Sequence, residues 1–157
     1  MIEGIPWPGS WLYNATAAKL LKNVYKQVAR EVVGKVGCGT LLDIGTGPGR
    51  LPIEVVKLAP GIRVVGIDIS QSMVRIARKN VEKEGLNDKI EFRVGDAEAL
   101  AFAENTFDLT VSTGALHHFH NPLKVFNECY RVLKGGGEAW VYDLRGDATA
   151  TEVKLVY

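Results

Sequence analysis

The feature that most constrains this chain is a run of alternating glycines that follows a short apolar segment. Residues 41–44 are apolar except for Asp43, and they lead into Gly45, Gly47 and Gly49, after which a helical pattern begins. A buried strand that stops at a tight glycine loop and opens a helix makes room for a cofactor in α/β proteins, because glycine lets the backbone approach a ligand. The loop predicts such a site, although glycine-rich turns also occur without a ligand.

Size and charge limit the classes of protein that the chain can belong to. Its 157 residues fit one domain, and 46% hydrophobic with 24% charged residues is an ordinary globular mixture. Nineteen basic residues against 18 acidic ones give a net charge of +1, which argues against a nucleic-acid groove or a polybasic membrane surface. No apolar run approaches the ~20 residues of a membrane span. We therefore expect neither a nucleic-acid nor a membrane partner.

The cysteines and the N-terminus indicate a reducing compartment. Cys38 and Cys129 are too few for a disulfide framework, and neither has metal-ligand neighbours at a recognisable spacing. The N-terminus carries Glu3 and lacks a basic segment followed by an apolar one. A cytoplasmic protein without a bound metal is the expectation.

The remaining chain alternates strand and helix patterns. Strands are predicted at 40–44, 63–68, 90–94, 107–112 and 139–143, and helices at 15–34, 50–59, 71–84 and 122–133, with a short helical turn at 98–101. This order predicts an α/β fold with a Rossmann-like, doubly wound and mostly parallel sheet. Polar and apolar residues alternate over 90–94, which indicates an edge strand. We expect one domain over 1–157, made of an extended arm (1–13), a helical segment within 14–37 begun by Asn14, a cofactor-binding core (38–143) and a short tail (144–157).

Two terminal segments leave alternatives open. In the arm, Trp7, Trp11 and Tyr13 either fasten the arm to the body of the protein or form a wall over a pocket. The second alternative makes Trp11 and Tyr13 candidate substrate contacts. In the tail, Asp147 could begin a helix, whereas alternating apolar residues could equally form a strand; the helix is the favoured prediction.

Acidic residues stand at several predicted strand ends, which meet at one edge of a parallel sheet. Asp68 ends the second strand, where a carboxylate can accept both hydroxyls of a ribose, so an adenosine-containing ligand is expected. The glycine spacing is neither G-x-G-x-x-G nor that of a phosphate loop. Asp43, two residues before the first glycine, would repel a pyrophosphate and suits a cationic ligand.

These residues carry a family resemblance. The run from Asp43 to Gly49 resembles motif I of the class I S-adenosylmethionine-dependent methyltransferases, and residues 66–70 resemble their ribose-binding strand end. Residues 95–97 resemble the adenine-binding turn, and 107–109, 117–119 and 131–137 resemble the later motifs. The resemblance covers about residues 38–143 and is nearest to the small-molecule branch that includes quinone-ring C-methyltransferases.

The resemblance implies S-adenosylmethionine as cofactor, a small-molecule methyl acceptor, and a set of cofactor contacts. The implied contacts are Asp43, Gly45, Thr46, Gly47 and Gly49 for the methionine part, Asp68 for the ribose, Ile69 and Met73 beside the adenine, Asp96 and Ala97 at the adenine edge, and Thr113, Gly114 and Leu116 beneath the sulfonium. Methyl transfer needs mainly the positioning of two reactants.

The histidines of the loop at 117–120 are candidates for a direct role. His117 or His118 could act as a general base, and His117 could also contact the substrate. The alternative is that these rings only line the pocket or pack. A metal site is not predicted, because the nearby acids are assigned to other roles.

The tail is too short for the complete sheet of the family, which ends in an antiparallel hairpin after its fifth strand. We therefore expect five visible strands, an open edge, and a homo-oligomer or a partner chain that completes the sheet. An active small-molecule methyltransferase is the favoured function. The alternative is a non-catalytic cofactor-binding or regulatory subunit, or a truncated inactive domain; a nicotinamide dehydrogenase is less favoured because the glycine spacing differs.

Overall fold

The computed structural model describes the backbone of residues 10–144 and 150–156 and the side chains of residues 22–143. A central sheet is flanked by helices on both faces. The elements are α1 (Ser10–Val36), β1 (Gly39–Ile44), α2 (Arg50–Leu58), β2 (Ile62–Asp68), α3 (Gln71–Glu84), β3 (Ile90–Val94), β4 (Phe107–Thr113), a 3₁₀ turn (Leu116–His118), α4 (Pro122–Val132), β5 (Leu133–Leu144) and β6 (Ala150–Val156).

The sheet has the strand order β3-β2-β1-β4-β5-β6. The first five strands pair in parallel, and β6 pairs antiparallel with β5. The order of the strands along the sheet reverses between β1 and β4, which opens a crevice at their carboxyl ends. The prediction of a Rossmann-like, mostly parallel sheet is confirmed, and β3 is the edge strand that its alternation indicated.

Each face of the sheet has its own apolar core. On one face, α1, α2 and α3 pack over residues such as Leu41, Val64 and Phe92. On the other face, α4 packs over Leu42 and Ile44. Successive residues of β1 therefore serve opposite cores, which explains why the strand is apolar on both sides.

Two helix starts follow from side-chain caps that the sequence predicted correctly. Ser70 accepts a hydrogen bond from the amide of Met73 at 3.4 Å, and Asn121 accepts one from Lys124 at 3.2 Å. Pro122 occupies the first position of α4, where a missing N–H costs nothing. Gly85 ends α3 in the left-handed conformation, with φ of 66°.

The first helix is longer than the sequence predicted. It begins at Ser10, so residues 10–13 are helical and Asn14 is an internal residue rather than the cap. The helix also continues past Gly34 to Val36. The last proline before the helix is Pro8, and nothing after it interrupts helical hydrogen bonding. The rest of the predicted arm, residues 1–9, lies outside the described part of the chain.

The fifth strand begins earlier than the predicted residue 139. Residues 135–137 belong to β5, which begins at Leu133. The pairing register shifts there, because Phe107 faces Leu133 whereas Leu109 already faces Glu138. The extra residues form a bulge, and Gly136 within it has φ of 81°.

The prediction for the tail is also wrong. Residues 150–156 form a strand whose register runs from the Glu138–Val156 pair to the Leu144–Ala150 pair. The edge of β5 is therefore covered by backbone from the same chain, and the expected open edge at β5 is absent from the described sheet. Pairing with β5 decides between the two alternatives, because a strand satisfies backbone groups that a helix would leave open at this edge.

The first helix is fastened to β5 across the sheet. The hydroxyl of Tyr142 donates to Glu31 at 2.8 Å, and Lys35 forms an ion pair with Glu138. These contacts hold α1 against the sheet, and Tyr25 of this helix lines the site described below.

Candidate functional site

The glycine loop between β1 and α2 has a left-handed backbone at each glycine. The φ angles are 70° at Gly45, 52° at Gly47 and 75° at Gly49. A Cβ atom on Gly45 would collide with Ala115, and one on Gly49 would lie 2.6 Å from the ring of Phe92. A Cβ atom on Gly47 would meet nothing within 4 Å. Packing thus requires two of the glycines, whereas the third borders open space.

Asp68 fixes the shape of this loop from the end of β2. One carboxylate oxygen accepts a hydrogen bond from the amide of Gly47 at 2.8 Å, and the other accepts one from Ser70 at 2.8 Å. Each carboxylate oxygen can accept further hydrogen bonds. Asp68 can therefore hold the loop and still accept two hydroxyl groups of a ligand.

Asp43 lies beneath the loop rather than in the crevice. It is buried, and it accepts a hydrogen bond from the hydroxyl of Thr46 at 2.6 Å. Burial raises the pKa of this carboxyl to about 7; the bond from Thr46 opposes the rise, and the charge of Asp68 adds to it.

A cavity of about 720 Å³ opens at the carboxyl ends of the strands. Ten of the predicted site residues line it: Gly45, Gly47, Asp68, Ile69, Met73, Asp96, Ala97, Thr113, Gly114 and His118. Five others, Asp43, Thr46, Gly49, Leu116 and His117, do not line it. Trp11 and Tyr13 lie in α1, but their side chains are outside the described part of the chain.

Nine further residues line the cavity without having been predicted as contacts. Eight of them are neighbours of predicted contacts, and several belong to the same motifs or to the histidine loop: Pro48, Ile67, Ser70, Gly95, Glu98, Ala115, Phe119 and His120. Their proximity to the motifs was the available signal. Tyr25 had no such signal, because it comes from α1 and reaches the cavity only through the packing of that helix.

The hydroxyl groups of Ser112 and Thr113 at the end of β4 are buried and have no hydrogen-bond partner among the described residues. Thr113 lines the cavity, whereas Ser112 does not. Buried hydroxyl groups are ordinarily hydrogen-bonded. The open space beside Gly47 and the remaining acceptor capacity of Asp68 fit a polar ligand that carries hydroxyl groups.

The segment after β3 is fastened to α4 by Arg131. Its guanidinium donates to the carbonyls of Phe102 and Leu100, both at 2.8 Å, and to Glu128. Glu128 in turn accepts from the amide of Leu100 at 2.7 Å, and the bond from Arg131 lowers the pKa of Glu128.

The predicted helical turn at 98–101 is wrong: it is a non-helical turn, in which Ala99 donates to the carbonyl of Asp96 at 3.2 Å.

The histidine turn is fastened to the end of β5. Asp143 accepts from the backbone amide of His117 at 3.0 Å and contacts the Nδ1 of its ring at 3.0 and 3.1 Å. The rings of His117 and His118 lie with centroids 3.9 Å apart. The turn therefore directs His118 and His120 to the cavity and His117 to Asp143.

Within residues 10–144 and 150–156, no group of three or more His, Cys, Asp or Glu residues is placed to hold a metal ion. None of the helices described here has the length and apolar character to cross a membrane.

A family model described as "Methyltransferase domain" matches residues 42–141. The chain belongs to this methyltransferase family. The membership confirms the resemblance to class I S-adenosylmethionine-dependent methyltransferases that the motifs carried. The matched segment runs from β1 to β5 and contains every lining residue of the cavity except Tyr25.

Curated relatives in this family include enzymes of quinone biosynthesis. The chain is 33% identical over 125 residues to a demethylmenaquinone methyltransferase of Porphyromonas gingivalis, covering 79% of this chain and 51% of the relative. It is 35% identical over 124 residues to a ubiquinone/menaquinone biosynthesis C-methyltransferase of Hydrogenovibrio crunogenus, covering 78% and 49%. The chain thus spans about half the length of these relatives.

A solved structure from Methanococcus maripaludis, assigned provisionally to the S-adenosylmethionine-dependent methyltransferases, superimposes with a TM-score of 0.77. It is 30% identical in sequence, and the superposition covers 93% of this chain and 68% of that one. The similarity extends over nearly the whole chain, beyond the segment that carries the motifs.

Proposed function

We propose that the cavity binds S-adenosylmethionine and that the protein transfers a methyl group to a small planar acceptor of the quinol class. The observation that carries the proposal is the position of Asp68, whose carboxylate faces a cavity beside a glycine loop that it also holds. Family membership supports the cofactor. The names of the relatives from P. gingivalis and H. crunogenus support the acceptor class.

The residues divide the cofactor among them. Asp68 accepts the ribose hydroxyls, Asp96 and Ala97 meet the adenine edge, and the exposed side chains of Ile69 and Met73 cover the adenine ring. The methionine part lies along Gly45 and Gly47, with Gly114 and the hydroxyl of Thr113 beneath the sulfonium. Asp43, Thr46, Gly49 and Leu116 act indirectly by shaping the walls.

Methyl transfer in this site depends on positioning. The bound cofactor supplies an electrophilic methyl group, and the protein holds the acceptor in line with it and excludes water. Phe119, His118 and His120 line the cavity on the side of the histidine turn and would contact the acceptor. His118 remains the proposed base, because it lines the cavity whereas His117 does not. Trp11 and Tyr13 remain the proposed additional substrate contacts.

We further propose that the protein is cytoplasmic and that it associates with a second copy of itself or with another chain. Both cysteines are free, with Cys38 exposed and Cys129 buried, which suits a reducing compartment. Because β6 is the last strand of the described sheet on its side, its outer edge is where a second chain would pair.

Calorimetry tests the cofactor. S-adenosylmethionine and S-adenosylhomocysteine should bind, and NAD should not. Asp68→Ala should reduce affinity at least about tenfold, because the ribose loses its acceptor and Gly47 loses its anchor. The matched control is Asp88→Ala, an exposed acid away from the cavity, which should bind as tightly as the unaltered protein. Preference for NAD would contradict the proposal.

Labelled methyl transfer tests the activity. The expected acceptors are reduced naphthoquinols and benzoquinols, compared with amine and carboxylate acceptors of similar size. Transfer to the amines alone would contradict the acceptor class. Tight cofactor binding without transfer to any acceptor would instead indicate a cofactor-binding subunit.

A further inference from the structure

We propose that Asp143 is a positioning residue, which orients His117 so that His118 can take a proton from the acceptor during methyl transfer. The inference rests on the proposed function, which it deepens by naming a proton path and an acceptor with an ionisable hydroxyl. Asp143 is the last residue of the predicted fifth strand (139–143), and no role was predicted for it from the sequence.

The carboxylate of Asp143 contacts both the backbone and the ring of His117. Asp143 accepts from the backbone amide of His117 and lies 3.0 Å from its ring Nδ1. Because a carboxylate can only accept, Nδ1 must carry the hydrogen. Only 17% of the Asp143 side chain is exposed, so the acceptor is sheltered although the ring of His117 is 56% exposed. The tautomer of His117 is thereby set by the end of β5.

The ring of His117 in turn packs against the ring of His118. The two rings lie 3.9 Å apart at an interplanar angle of 47°. The backbone of the turn is closed by bonds from the amide of His118 to the carbonyl of Ala115 at 3.0 Å and from Phe119 to Leu116 at 3.1 Å. The backbone and the neighbouring ring together restrict where the ring of His118 can point.

The ring of His118 can be reached from the cavity. His118 lines the cavity, and its ring makes no hydrogen bond within the described part of the chain. His117 does not line the cavity, so it is the supporting ring and His118 the one that meets the acceptor. The ring of His118 lies against the ring of His117, whose Nδ1 contacts the carboxylate of Asp143.

The chemistry requires one proton to leave the acceptor. His118 takes the proton that the acceptor hydroxyl loses, and the ring carbon made electron-rich by this loss bonds to the methyl carbon. The electron pair of the broken sulfur–carbon bond stays on sulfur. Charge and atoms balance with no further reactant: the immediate product is the keto tautomer of the C-methylated acceptor, whose methylated carbon still carries its hydrogen, beside a protonated His118. Loss of that ring hydrogen as a proton and return of a proton to the oxygen then restore the aromatic quinol.

Nuclear magnetic resonance of the imidazole nitrogens tests the tautomer of His117 without an activity measurement. The chain has three histidines, so their ring signals can be assigned one by one. In the protein saturated with S-adenosylhomocysteine, neutral His117 should carry its hydrogen on Nδ1. Asp143→Asn should remove this preference, since an amide can also donate, whereas the matched control Asp88→Asn should retain it. An unchanged His117 tautomer in Asp143→Asn would overturn the proposal.

Single-turnover methyl transfer to a 1,4-naphthoquinol tests whether Asp143 acts on the reaction through His118. Asp143→Asn should slow transfer about 10- to 100-fold, part of what a general base contributes, while the affinity for S-adenosylhomocysteine changes less than about twofold. Asp143→Glu, which restores a carboxylate, should recover part of the rate. The pair Asp143→Asn with His118→Gln should be no slower than His118→Gln alone, because Asp143 acts through His118.

The outcomes separate the two proposals. Additive losses in the double variant, or an unchanged rate in Asp143→Asn, would overturn the role of Asp143 and leave the methyltransferase proposal intact. If the unaltered protein transfers no methyl group to the naphthoquinol, the proposed acceptor class fails, and so does the proton path that depends on it.

Discussion

At Gly47, the space that a ligand would occupy matters more than packing. Its φ of 52° strains any other residue, but no atom lies within 4 Å of the position of a Cβ. Gly45 and Gly49 differ, because their added Cβ atoms would collide with Ala115 and Phe92. The three glycines look equivalent in sequence, and the structure separates their reasons.

Gly47→Ala should therefore weaken cofactor binding more than it weakens the fold. Left-handed alanine costs roughly 1–2 kcal/mol, and the added methyl group enters the cavity. Gly85→Ala is the matched control, since Gly85 has φ of 66°, nothing near its Cβ position, and no place in the cavity. Thermal unfolding should show similar losses in both variants, and calorimetry should show reduced S-adenosylhomocysteine affinity in Gly47→Ala alone. Equal affinity in the two variants would refute this.

Asp43 should make the stability of the ligand-free protein depend on pH. Its pKa is about 7 in the fold, because burial disfavours the charge, and near 3.8 when unfolded. Between these values the folded state holds a proton that the unfolded state releases. The free energy of unfolding should thus fall as pH rises from about 4 to 7, by at most about 1.4 kcal/mol per pH unit, and level off above.

Asp43→Asn checks this prediction. The amide keeps an acceptor for the hydroxyl of Thr46 but cannot ionise, so this contribution to the slope should disappear. Denaturant titrations at pH 5, 6, 7 and 8 give the difference between the two proteins. A difference that does not vary with pH would mean that the carboxyl ionises as readily in the fold as in the unfolded chain.

At the scale of elements, α4 holds the segment after β3, which borders the cavity. Arg131 was conspicuous in sequence only as part of a motif. The structure gives it a physical task, because its guanidinium binds two carbonyls of the segment after β3 and one carboxylate of its own helix. That segment begins at Asp96 and Ala97, which line the cavity.

Arg131→Met should loosen the segment over residues 97–102. Two carbonyls and Glu128 lose their donor, so we expect a loss of about 1–3 kcal/mol in the free energy of unfolding and faster amide hydrogen exchange in the segment. Arg131→Lys should recover only part, since an ammonium cannot reproduce the planar fork. Unaltered exchange at Leu100, whose amide donates to Glu128, would contradict this account.

At the scale of the whole molecule, the edge of β5 depends on the tail. Trp140 and Tyr142 of β5 are buried, and their backbone groups pair with β6. The sequence favoured a helix for the tail over a strand, although its few alternating residues suit either. Pairing with β5 determines that the tail is a strand, and no local sequence pattern in the tail records this pairing.

Removal of residues 145–157 should expose the backbone of β5 and promote association. Unpaired strand edges pair with other chains, so light scattering should show more dimer or aggregate in the shortened protein than in the full chain at equal micromolar concentration. Replacement of Val153 by proline, which cannot donate to the ladder, should act in the same direction. A shortened chain as monomeric as the full one would show that β6 does not protect this edge.

The sequence by itself determined the parallel core and its motifs. Local patterns are enough for this, because glycines, capping residues and apolar strands act on their immediate neighbours: Ser70 and Asn121 cap helices as predicted, and Asp68 reaches the cavity. Tertiary structure alone decided that Tyr25 joins the site, that His117 turns to Asp143, that the glycines at 135–137 form a bulge and that the tail is a strand. Each of these depends on contacts between residues far apart in the chain, whose energies no local pattern records.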